Sequence, residues 1–298
     1  MRLLLAVDSV VTAELLMKAV ASRPWPRGTR ARVLSIVEDE AVPPPAWREA
    51  GYSLDAVRRE ARRRGEQITA LTVEPLRELG ITAEVSIMRG DPQWLIPHEA
   101  RTWPADLILV RAHNRTEFRG WMLGSVAKAV VRDAPCSVEI VRAVNDERSV
   151  VGDGHMKILL ATDGSEHSVA AARAVAGRPW PEGIEVKVMS MVNPLVYSME
   201  EIGLYEGGGT ERAHKAIGDA AGILKNAGAK ITGEVIAGRP VKRILDEARE
   251  WGADLIVVGS RDRRGLKRLI SGSVSEAVAS RADCSVEVVR RRAAARRR

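Results

Sequence analysis

Glycine and serine residues near the C-terminal end of this chain have the types and spacing of an anion-binding loop. Gly259 ends a short apolar run, and Gly272 and Ser273 follow thirteen positions later, at the start of a helical pattern. Glycine lets backbone N–H groups come close to a phosphate, and a serine hydroxyl adds a donor where a helix begins. Residues 258–289 therefore predict a strand, a phosphate-binding loop, a helix and a final strand.

An aspartate in the second half of the chain is the next candidate. Asp163 follows the apolar run ILLAT and precedes Ser165, which can cap the following helix. A carboxylate at the end of a strand can accept hydrogen bonds from the ribose or the base of a nucleotide. The alternative is an ordinary turn residue. Asp8 occupies the matching place in the first half, which favours a role for the carboxylate.

Residues 110–141 are an imperfect copy of the C-terminal loop and its flanking elements. They keep Gly124 and Ser125 at the same spacing from a Cys-Ser-Val-Glu sequence, but Arg111 stands where the later copy has Gly259. A side chain at this position removes the close backbone approach to a phosphate, and its guanidinium can lie across the crevice in place of a ligand. We therefore expect nucleotide binding in the second copy and an empty or degenerate site in the first.

The two copies belong to a repeat that runs through the whole chain. Asp8 and Asp163 lie 155 positions apart, whereas Gly124 and Gly272 lie 148 positions apart, so the first copy carries a net insertion of seven residues between about 38 and 80. A polar, glycine-containing stretch at 145–155 separates the copies. The sequence thus predicts two domains of one fold, residues 1–146 and 155–290, followed by a basic tail, residues 291–298.

Each copy alternates short apolar runs with helical patterns. LLLAV and ILLAT are such runs, and VKRILDEAREWG is a helix with one apolar face, formed by Val241, Ile244, Leu245 and Ala248. This alternation predicts an α/β fold with two tandem doubly wound domains, each a five-stranded parallel sheet flanked by helices. A ligand of such a sheet binds beyond the carboxyl ends of the strands, where the strand order reverses.

Composition and charge are typical of a globular protein. With 45% apolar and 4% aromatic residues, the chain of 298 residues can build two cores from aliphatic side chains. Six of the last nine residues are arginine, so the net charge of +7 falls to +1 for the rest of the chain. No aromatic residue is interleaved with these arginines, which favours a solvated tail over nucleic-acid binding.

Other features predict location or packing rather than chemistry. The N-terminal apolar run is interrupted by Asp8 and is too short for a signal peptide or a membrane span, so we expect a cytoplasmic protein without membrane contact.

The cysteines at 136 and 284 hold equivalent places in the two copies, which favours packing over a disulfide, a metal site or a nucleophile. Trp25 and Trp180 recur in matching RPWP sequences and also favour packing. Residues 197–209 predict a flexible loop.

Both halves resemble the universal stress protein family, and together they resemble its tandem form. The resemblance covers nearly the whole chain and rests on the aspartates in AVDSV and ATDGSEHS, the GDP and GRP turns, ADLIVVGS, and LKRLISGSVSEAV followed by CSVEVVR. It implies an adenine nucleotide alpha hydrolase-like fold. It also implies that the last strands of the halves pair as in a dimer, which would form an internal pseudo-dimer in which Glu139 and Glu287 meet Arg142 and Arg290.

The resemblance further implies a set of nucleotide-binding positions. In ATP-binding members of the family the loop follows the pattern G-x2-G-x9-G-[ST]. The matching residues of the second copy are Gly259, Asp262, Gly272 and Ser273. Those of the first copy are Arg111, Asn114, Gly124 and Ser125. The ribose and adenine contacts would fall at Asp163 and Val192, or at Asp8 and Val37, and a phosphate contact at the backbone of Val274.

Asp262 is the departure from that pattern in the second copy. Asparagine and aspartate tolerate a left-handed backbone best among the other residues, so Asp262 can keep the shape of the loop. Its charge is the obstacle, because a carboxylate 4 Å from a phosphate is repelled by up to about 4 kcal/mol at an effective dielectric constant near 20. Basic residues at 261, 263, 264, 267 and 268, or a Mg²⁺ ion that bridges Asp262 to phosphate, can offset this repulsion.

The sequence as a whole predicts a non-catalytic stress-response protein that binds ATP or a related adenine nucleotide, with or without Mg²⁺, in the second domain. The alternative is a nucleotide-free scaffold of the same fold that acts through contacts with an unidentified client protein or as a homo-oligomer. An enzyme is least favoured, because the sequence contains no SGGxDS loop, no Walker sequence and no Ser/His/Asp or Cys/His arrangement.

Overall fold

The computed structural model describes residues 1–38, 54–112, 123–143, 156–202, 208–260 and 274–291. Strands and helices alternate over these residues, which confirms the predicted α/β fold. Four predicted loop residues lie outside the described residues, namely Asn114, Asp262, Gly272 and Ser273. The predicted linker at 145–155 and residues 292–298 of the tail also lie outside them. No helix in the described parts of the chain is long and apolar enough to cross a membrane.

Within the described residues, the first half contains five strands and four helices. Its strands are β1 (Arg2–Val7), β2 (Arg30–Val37), β3 (Thr82–Arg89), β4 (Leu107–Arg111) and β5 (Ser137–Val141). Its helices are α1 (Val10–Ala21), α2 (Leu54–Glu78), α3 (Pro92–Thr102) and α4 (Ser125–Asp133).

The second half repeats this order with one additional described helix after its second strand. Its strands are β6 (Lys157–Ala161), β7 (Glu185–Val192), β8 (Lys230–Ala237), β9 (Leu255–Gly259) and β10 (Ser285–Val289). Its described helices are α5 (Glu166–Ala176), α6 (Pro194–Glu201), α7 (Gly209–Leu224), α8 (Pro240–Trp251) and α9 (Val274–Arg281). Part of the extra length of the first half lies in α2, which has 25 residues against 16 in α7.

The flexible loop predicted for 197–209 is wrong for its first residues, because 197–201 belong to α6. Two residues start this helix. The side chain of Asn193 accepts a hydrogen bond from the backbone N–H of Leu195 at 2.9 Å, and Pro194 is pre-set for the first helical position.

One continuous sheet of ten strands forms the centre of the molecule, in the order β3-β2-β1-β4-β5-β10-β9-β6-β7-β8. The strands within each half are parallel, as predicted. The two halves join through β5 and β10, which pair antiparallel with Glu139 opposite Glu287. This pairing removes two exposed strand edges and produces the internal pseudo-dimer that the family resemblance implies.

The hydrophobic core of one sheet face is shared by the two halves. Leu4 and Val138 of the first half belong to the same buried cluster as Leu159 and Val286 of the second. On the other face each half has its own cluster, built on alternate residues of the same strands, such as Leu3 and Leu5 in β1. Burial on both faces explains why the central strands are continuous apolar runs in the sequence.

Both cysteines are buried in this shared core and neither forms a disulfide. Burial raises the pKa of the Cys284 thiol to about 12. A thiol with so high a pKa is almost entirely protonated at neutral pH and is therefore a poor nucleophile and a poor metal ligand. The predicted packing role of the cysteines agrees with this environment.

Two buried ion pairs lie where the halves meet. Glu139 and Glu287 point to the same side of the β5–β10 pair and are 2% and 1% exposed. The Arg23 guanidinium donates to Glu139, and the Arg178 guanidinium donates to both carboxylate oxygens of Glu287 at 2.6 Å. Each carboxylate therefore has its own arginine, taken from the RPWP sequence of its own half.

The predicted partners Arg142 and Arg290 are wrong, because both arginines make a different contact. Arg142 of the first half donates to the carbonyls of Ala279 and Cys284, at and beyond the end of α9. Arg290 of the second half donates to the carbonyls of residues 131, 132 and 134, at the end of α4. The last carbonyls of a helix lack intrahelical partners and attract a cation. Each half thus caps a helix of the other half.

The tryptophans of the two RPWP sequences pack around the buried arginines, in agreement with their predicted role. The Arg23 guanidinium carbon lies 4.7 Å from the ring centroid of Trp25 and 5.5 Å from that of Trp180. Arg178 lies 5.5 Å from Trp180. The indole N–H groups of Trp25 and Trp180 donate to backbone carbonyls at 2.8 and 2.7 Å. Trp180 thus stacks on arginines from both halves.

Replacing one member of a buried ion pair tests its contribution to stability. Glu139→Leu leaves the Arg23 guanidinium buried without a counter-charge, so we expect the free energy of unfolding to fall by about 3–5 kcal/mol in a urea titration. The double replacement Arg23→Met with Glu139→Leu should recover most of this loss.

An exposed pair provides the control. Asp219 accepts from Lys215 at 3.0 Å on the surface of α7, and Asp219→Ala should change the free energy of unfolding by less than about 1 kcal/mol. Equal effects of Glu139→Leu and Asp219→Ala would contradict the importance of the buried pair.

Candidate functional site

The strand order reverses at two places in the sheet, one in each half. β1 lies between β2 and β4, and β6 lies between β7 and β9. In each half, the next two strands along the chain are added on one side of this central strand, and the last two are added on its other side. Asp8 follows β1 directly, and Asp163 lies two residues beyond the end of β6. Both predicted carboxylates therefore stand at the position where doubly wound sheets bind ligands.

The two aspartates shape the first turn of the helix that follows each of them. One carboxylate oxygen of Asp8 accepts from the hydroxyls of Ser9 and Thr12, at 3.0 and 2.5 Å. Asp163 accepts from the backbone N–H of Ser165 at 3.0 Å. Ser165 in turn caps α5, as predicted, by accepting from the backbone N–H of Ser168. Both carboxylates are exposed to solvent.

Gly259 is the last residue of β9 and lies against the backbone of α5. A Cβ atom added at this position would lie 2.3 Å from the carbonyl oxygen of His167 and 2.8 Å from the backbone nitrogen of Ser168. Such distances are far below van der Waals contact, so the start of α5 can approach the strand end only because residue 259 has no side chain. In the second half, glycine is required at the junction between the end of β9 and the first turn of α5.

The predicted phosphate contacts that the structure describes lie at the starts of α4 and α9. Gly124 precedes α4 and provides no side-chain cap, and Ser125 is the first residue of that helix. Val274 is the first residue of α9 and is 38% exposed. The sequence placed these helix starts correctly to within one or two residues.

The predicted adenine contacts, Val37 and Val192, are the last residues of β2 and β7. Their carbonyls accept from the backbone N–H groups of Gly90 and Gly238, at 3.0 and 2.9 Å. Val192 is only 6% exposed. The start of α7 packs on it, since a Cβ atom on Gly209 would lie 3.4 Å from Val192 Cγ1. The Val192 side chain is thus already covered by protein.

Helix α6 is attached to the start of α7 near Val192. The carboxylate of Glu200, near the end of α6, accepts from the backbone N–H groups of Gly209 and Thr210 at 2.6 and 2.9 Å. These are two of the N–H groups that a helix start leaves without intrahelical partners. The contact holds α6 beside the carboxyl end of β7.

A cavity of about 100 Å³ lies in the first half, at the carboxyl ends of β1, β2 and β4. Its polar lining residues are Asp8, Thr12, Glu38 and Arg111. Its apolar lining comes from β1, β2 and β4 and from the first turns of α3 and α4. Of the residues predicted for this half, the cavity brings Asp8 and Arg111 together, while Val37, Gly124 and Ser125 do not line it.

Sequence reasoning missed Thr12, Glu38, Pro92 and Ile96 as lining residues of this cavity. The loop pattern contains none of these positions, which lie in α1, at the end of β2 and in α3. Alternate residues of a strand share one face. The alternation of Leu34, Ile36 and Glu38 at the end of β2 is the signal that could have identified this wall.

Comparison with known proteins places these observations in a family. A model described as the universal stress protein family matches residues 1–142 and 155–290. A universal stress protein from Methanocaldococcus jannaschii is 30% identical over 154 residues, which cover 48% of this chain and 88% of that protein.

Solved structures give a similar result for the fold. A universal stress protein from Archaeoglobus fulgidus, 20% identical, covers 97% of this chain and 96% of its own with a TM-score of 0.63. At this identity the likeness supports the fold alone. A universal stress protein solved in complex with cAMP is 25% identical and covers 46% of this chain and 98% of its own, with a TM-score of 0.35.

A single added methyl group tests the close approach at Gly259. We expect Gly259→Ala to lower the free energy of unfolding by about 1–3 kcal/mol or more, because the new Cβ atom collides with backbone that cannot rotate away. Thermal and urea unfolding monitored by circular dichroism measure the change.

Gly218→Ala is the matched control. Gly218 is an exposed glycine inside α7, and a Cβ atom there meets nothing within 4 Å. This variant should be neutral or more stable by about 0.5–1 kcal/mol. A Gly259→Ala protein as stable as the Gly218→Ala protein would show that the contact with α5 is loose.

Proposed function

Because this chain belongs to the universal stress protein family, we propose that it is a non-catalytic stress-response protein that binds ATP or a related adenine nucleotide. The second domain, residues 155–290, is the proposed site. The first domain, residues 1–146, is its diverged partner, and residues 291–298 form a basic tail. We propose that the protein acts in the cytoplasm.

One arrangement carries this proposal. In the second half, Asp163 and Gly259 stand at the ends of the neighbouring strands β6 and β9, on either side of the point where the strand order reverses. The carboxylate can accept hydrogen bonds from ribose hydroxyls. The glycine lets the first turn of α5 pack directly against the end of β9, and the loop that follows β9 would bring its N–H groups to a phosphate.

The remaining contacts follow from the loop pattern. Gly272, Ser273 and the backbone of Val274, at the start of α9, would bind phosphate oxygens through N–H and hydroxyl donors. Val192 would lie beside the adenine. Asp262 would repel the phosphates unless the adjacent basic residues or a Mg²⁺ ion neutralise it. These side chains bind and orient the nucleotide, and the proposal assigns no bond cleavage to any of them.

One observation favours a second candidate function. Val192 is 6% exposed and is covered by the start of α7, which is itself joined to α6 through Glu200. A site closed in this way fits a nucleotide-free scaffold that acts through protein contacts, with an unidentified client or with a second copy of the chain. Adenine binding then requires α6 and the start of α7 to move away from Val192.

Native mass spectrometry of the purified protein, followed by titration with ATP, separates the two candidates. We expect one nucleotide per chain, either retained during purification or bound with a saturable isotherm in the presence of Mg²⁺. Absence of bound nucleotide and of saturable binding, both with and without Mg²⁺, would reject nucleotide binding and leave the scaffold.

The charge at Asp262 has a separate test. Asp262→Gly should tighten ATP binding by up to about a thousandfold, because it removes a repulsion of up to about 4 kcal/mol. Asp262→Asn is the matched control, since it removes the charge and keeps the size. Isothermal titration calorimetry measures both affinities, and an unchanged affinity in Asp262→Asn would show that charge is not the obstacle.

A further inference from the structure

Helix α7 begins without a side-chain cap from the residue that precedes it. Gly208, at that position, has a left-handed backbone with a φ of 63° and no side chain to accept from the first N–H groups. Gly209 is the first helical residue, and glycine favours a helix less than every residue except proline. The first turn of α7 is therefore weak unless another part of the molecule stabilises it.

The carboxylate of Glu200 supplies this cap from the neighbouring helix. One of its oxygens accepts from the backbone N–H of Gly209 at 2.6 Å, and the other accepts from the backbone N–H of Thr210 at 2.9 Å. Hydrogen bonds from Thr210 and Gly209 hold the pKa of Glu200 below its usual range, and a negative charge at the start of a helix is favoured. We call Glu200 and these two N–H groups the clasp.

Helix α6 buries little surface of its own. None of its eight residues is buried. Leu195 near its start and Ile202 just beyond its end are 68% and 66% exposed. A segment with few buried apolar contacts opens at a lower free energy than the core of the same protein. A large share of what holds α6 in place must therefore come from the clasp.

The clasp also fixes the residues that cover the end of β7. A Cβ atom on Gly209 would lie 2.8 Å from Val196 Cγ1 and 3.4 Å from Val192 Cγ1. The first turn of α7 thus packs between α6 and β7, and the glycine permits this close approach. Val192 is almost fully buried as a result, although it ends a strand at the edge where doubly wound sheets bind ligands.

From these contacts we propose that α6 and the first turn of α7 form a lid over Val192, and that Glu200 holds this lid closed. When Glu200 releases the two N–H groups, α6 moves away and the first turn of α7 unwinds, so that the end of β7 becomes accessible. The proposal rests on the proposed function only for the identity of the ligand that the opening would admit.

The lid has a defined boundary on each side. Asn193 caps α6 directly after β7 by accepting from the N–H of Leu195 at 2.9 Å, so α6 can move as an intact helix about its junction with the strand. Beyond its first turn, α7 is anchored by buried alanines at 213, 216 and 220. The opening is therefore confined to α6 and to the start of α7.

A closed lid lowers the apparent affinity of any ligand that needs the end of β7. The apparent dissociation constant is the intrinsic one divided by the fraction of molecules in the open state. As long as the closed state predominates, a change that raises the open fraction tightens binding by the same factor. Glu200 would then regulate the second domain without touching the ligand.

A cysteine at position 192 measures the opening without any nucleotide. Val192→Cys is a small change in size and places a thiol beneath the lid. The native cysteines at 136 and 284 are buried in the shared core, so they report the opening of the whole fold. Labelling of the full chain with iodoacetamide, followed by mass spectrometry of its peptides, gives a rate for each thiol. We expect the introduced thiol to react faster than the native pair and more slowly than in the urea-unfolded chain.

Replacing Glu200 in the Val192→Cys chain tests the clasp. Glu200→Ala should speed labelling of the introduced thiol by about ten- to a hundredfold, the range expected for hydrogen bonds to a charged group. Glu200→Gln should have a smaller effect in the same direction, because its single amide oxygen replaces two carboxylate oxygens. Glu201→Ala is the matched control, since Glu201 is the next residue of α6 and is exposed. It should leave the rate within about twofold.

Several results would overturn the lid. An introduced thiol that reacts only as fast as the native cysteines would show that Val192 becomes accessible only when the whole fold opens. A rate equal to that of the unfolded chain would show that nothing covers this position. Equal acceleration by Glu200→Ala and Glu201→Ala, in variants whose circular dichroism is unchanged, would show that Glu200 does not hold the lid.

Titration with ATP separates this proposal from the proposed function. In the chain that keeps Val192, Glu200→Ala should tighten ATP binding by the factor by which it speeds labelling. If neither chain binds ATP but labelling depends on Glu200, the proposed nucleotide is rejected and the lid remains. If ATP binds with unchanged affinity in Glu200→Ala while labelling accelerates, the lid does not cover the binding site and its regulatory role is rejected.

Discussion

The antiparallel pairing of β5 with β10 is the constraint on which the rest of the arrangement depends. It turns two parallel sheets into one and gives the halves a common core on one face. It also brings Glu139 opposite Glu287 in a region that water hardly reaches. Two like charges so placed are tolerable only if each has a counter-charge. Arg23 and Arg178 meet this requirement, and the tryptophans of the RPWP sequences complete their surroundings.

The sequence predicted the strands and the domain repeat better than it predicted the contacts between halves. Strand positions could be inferred because strands buried on both faces are continuous apolar runs, and each run occurs twice. The partners of Glu139 and Glu287 could not be inferred in this way, since Arg23 and Arg178 lie 116 and 109 residues away along the chain. Arg142 and Arg290 were misleading because they are near in sequence, but their guanidinium groups extend to the ends of helices in the opposite half.

In the candidate sites, too, the sequence pattern predicted where residues lie but not which groups surround them. The aspartates at 8 and 163 were predicted from their place after a strand, and they stand where the strand order reverses. The meaning of residue 111 was harder to infer, because a sequence pattern records only that a glycine is missing. Whether an arginine blocks a site or forms part of one depends on the neighbouring helix start and on the charges that line the space, and neither can be read from the loop pattern alone.

The reciprocal caps formed by Arg142 and Arg290 have a consequence for how such a chain can change over time. In a dimer of identical subunits, every substitution occurs in both binding sites at once. Here the two halves are one gene product but two separate stretches of sequence, so one site can acquire an arginine while the other keeps its glycine. The shared strand pair and the crossed caps preserve the assembly during this divergence. A tandem chain thus allows its two sites to differ while the interface between the halves stays symmetric.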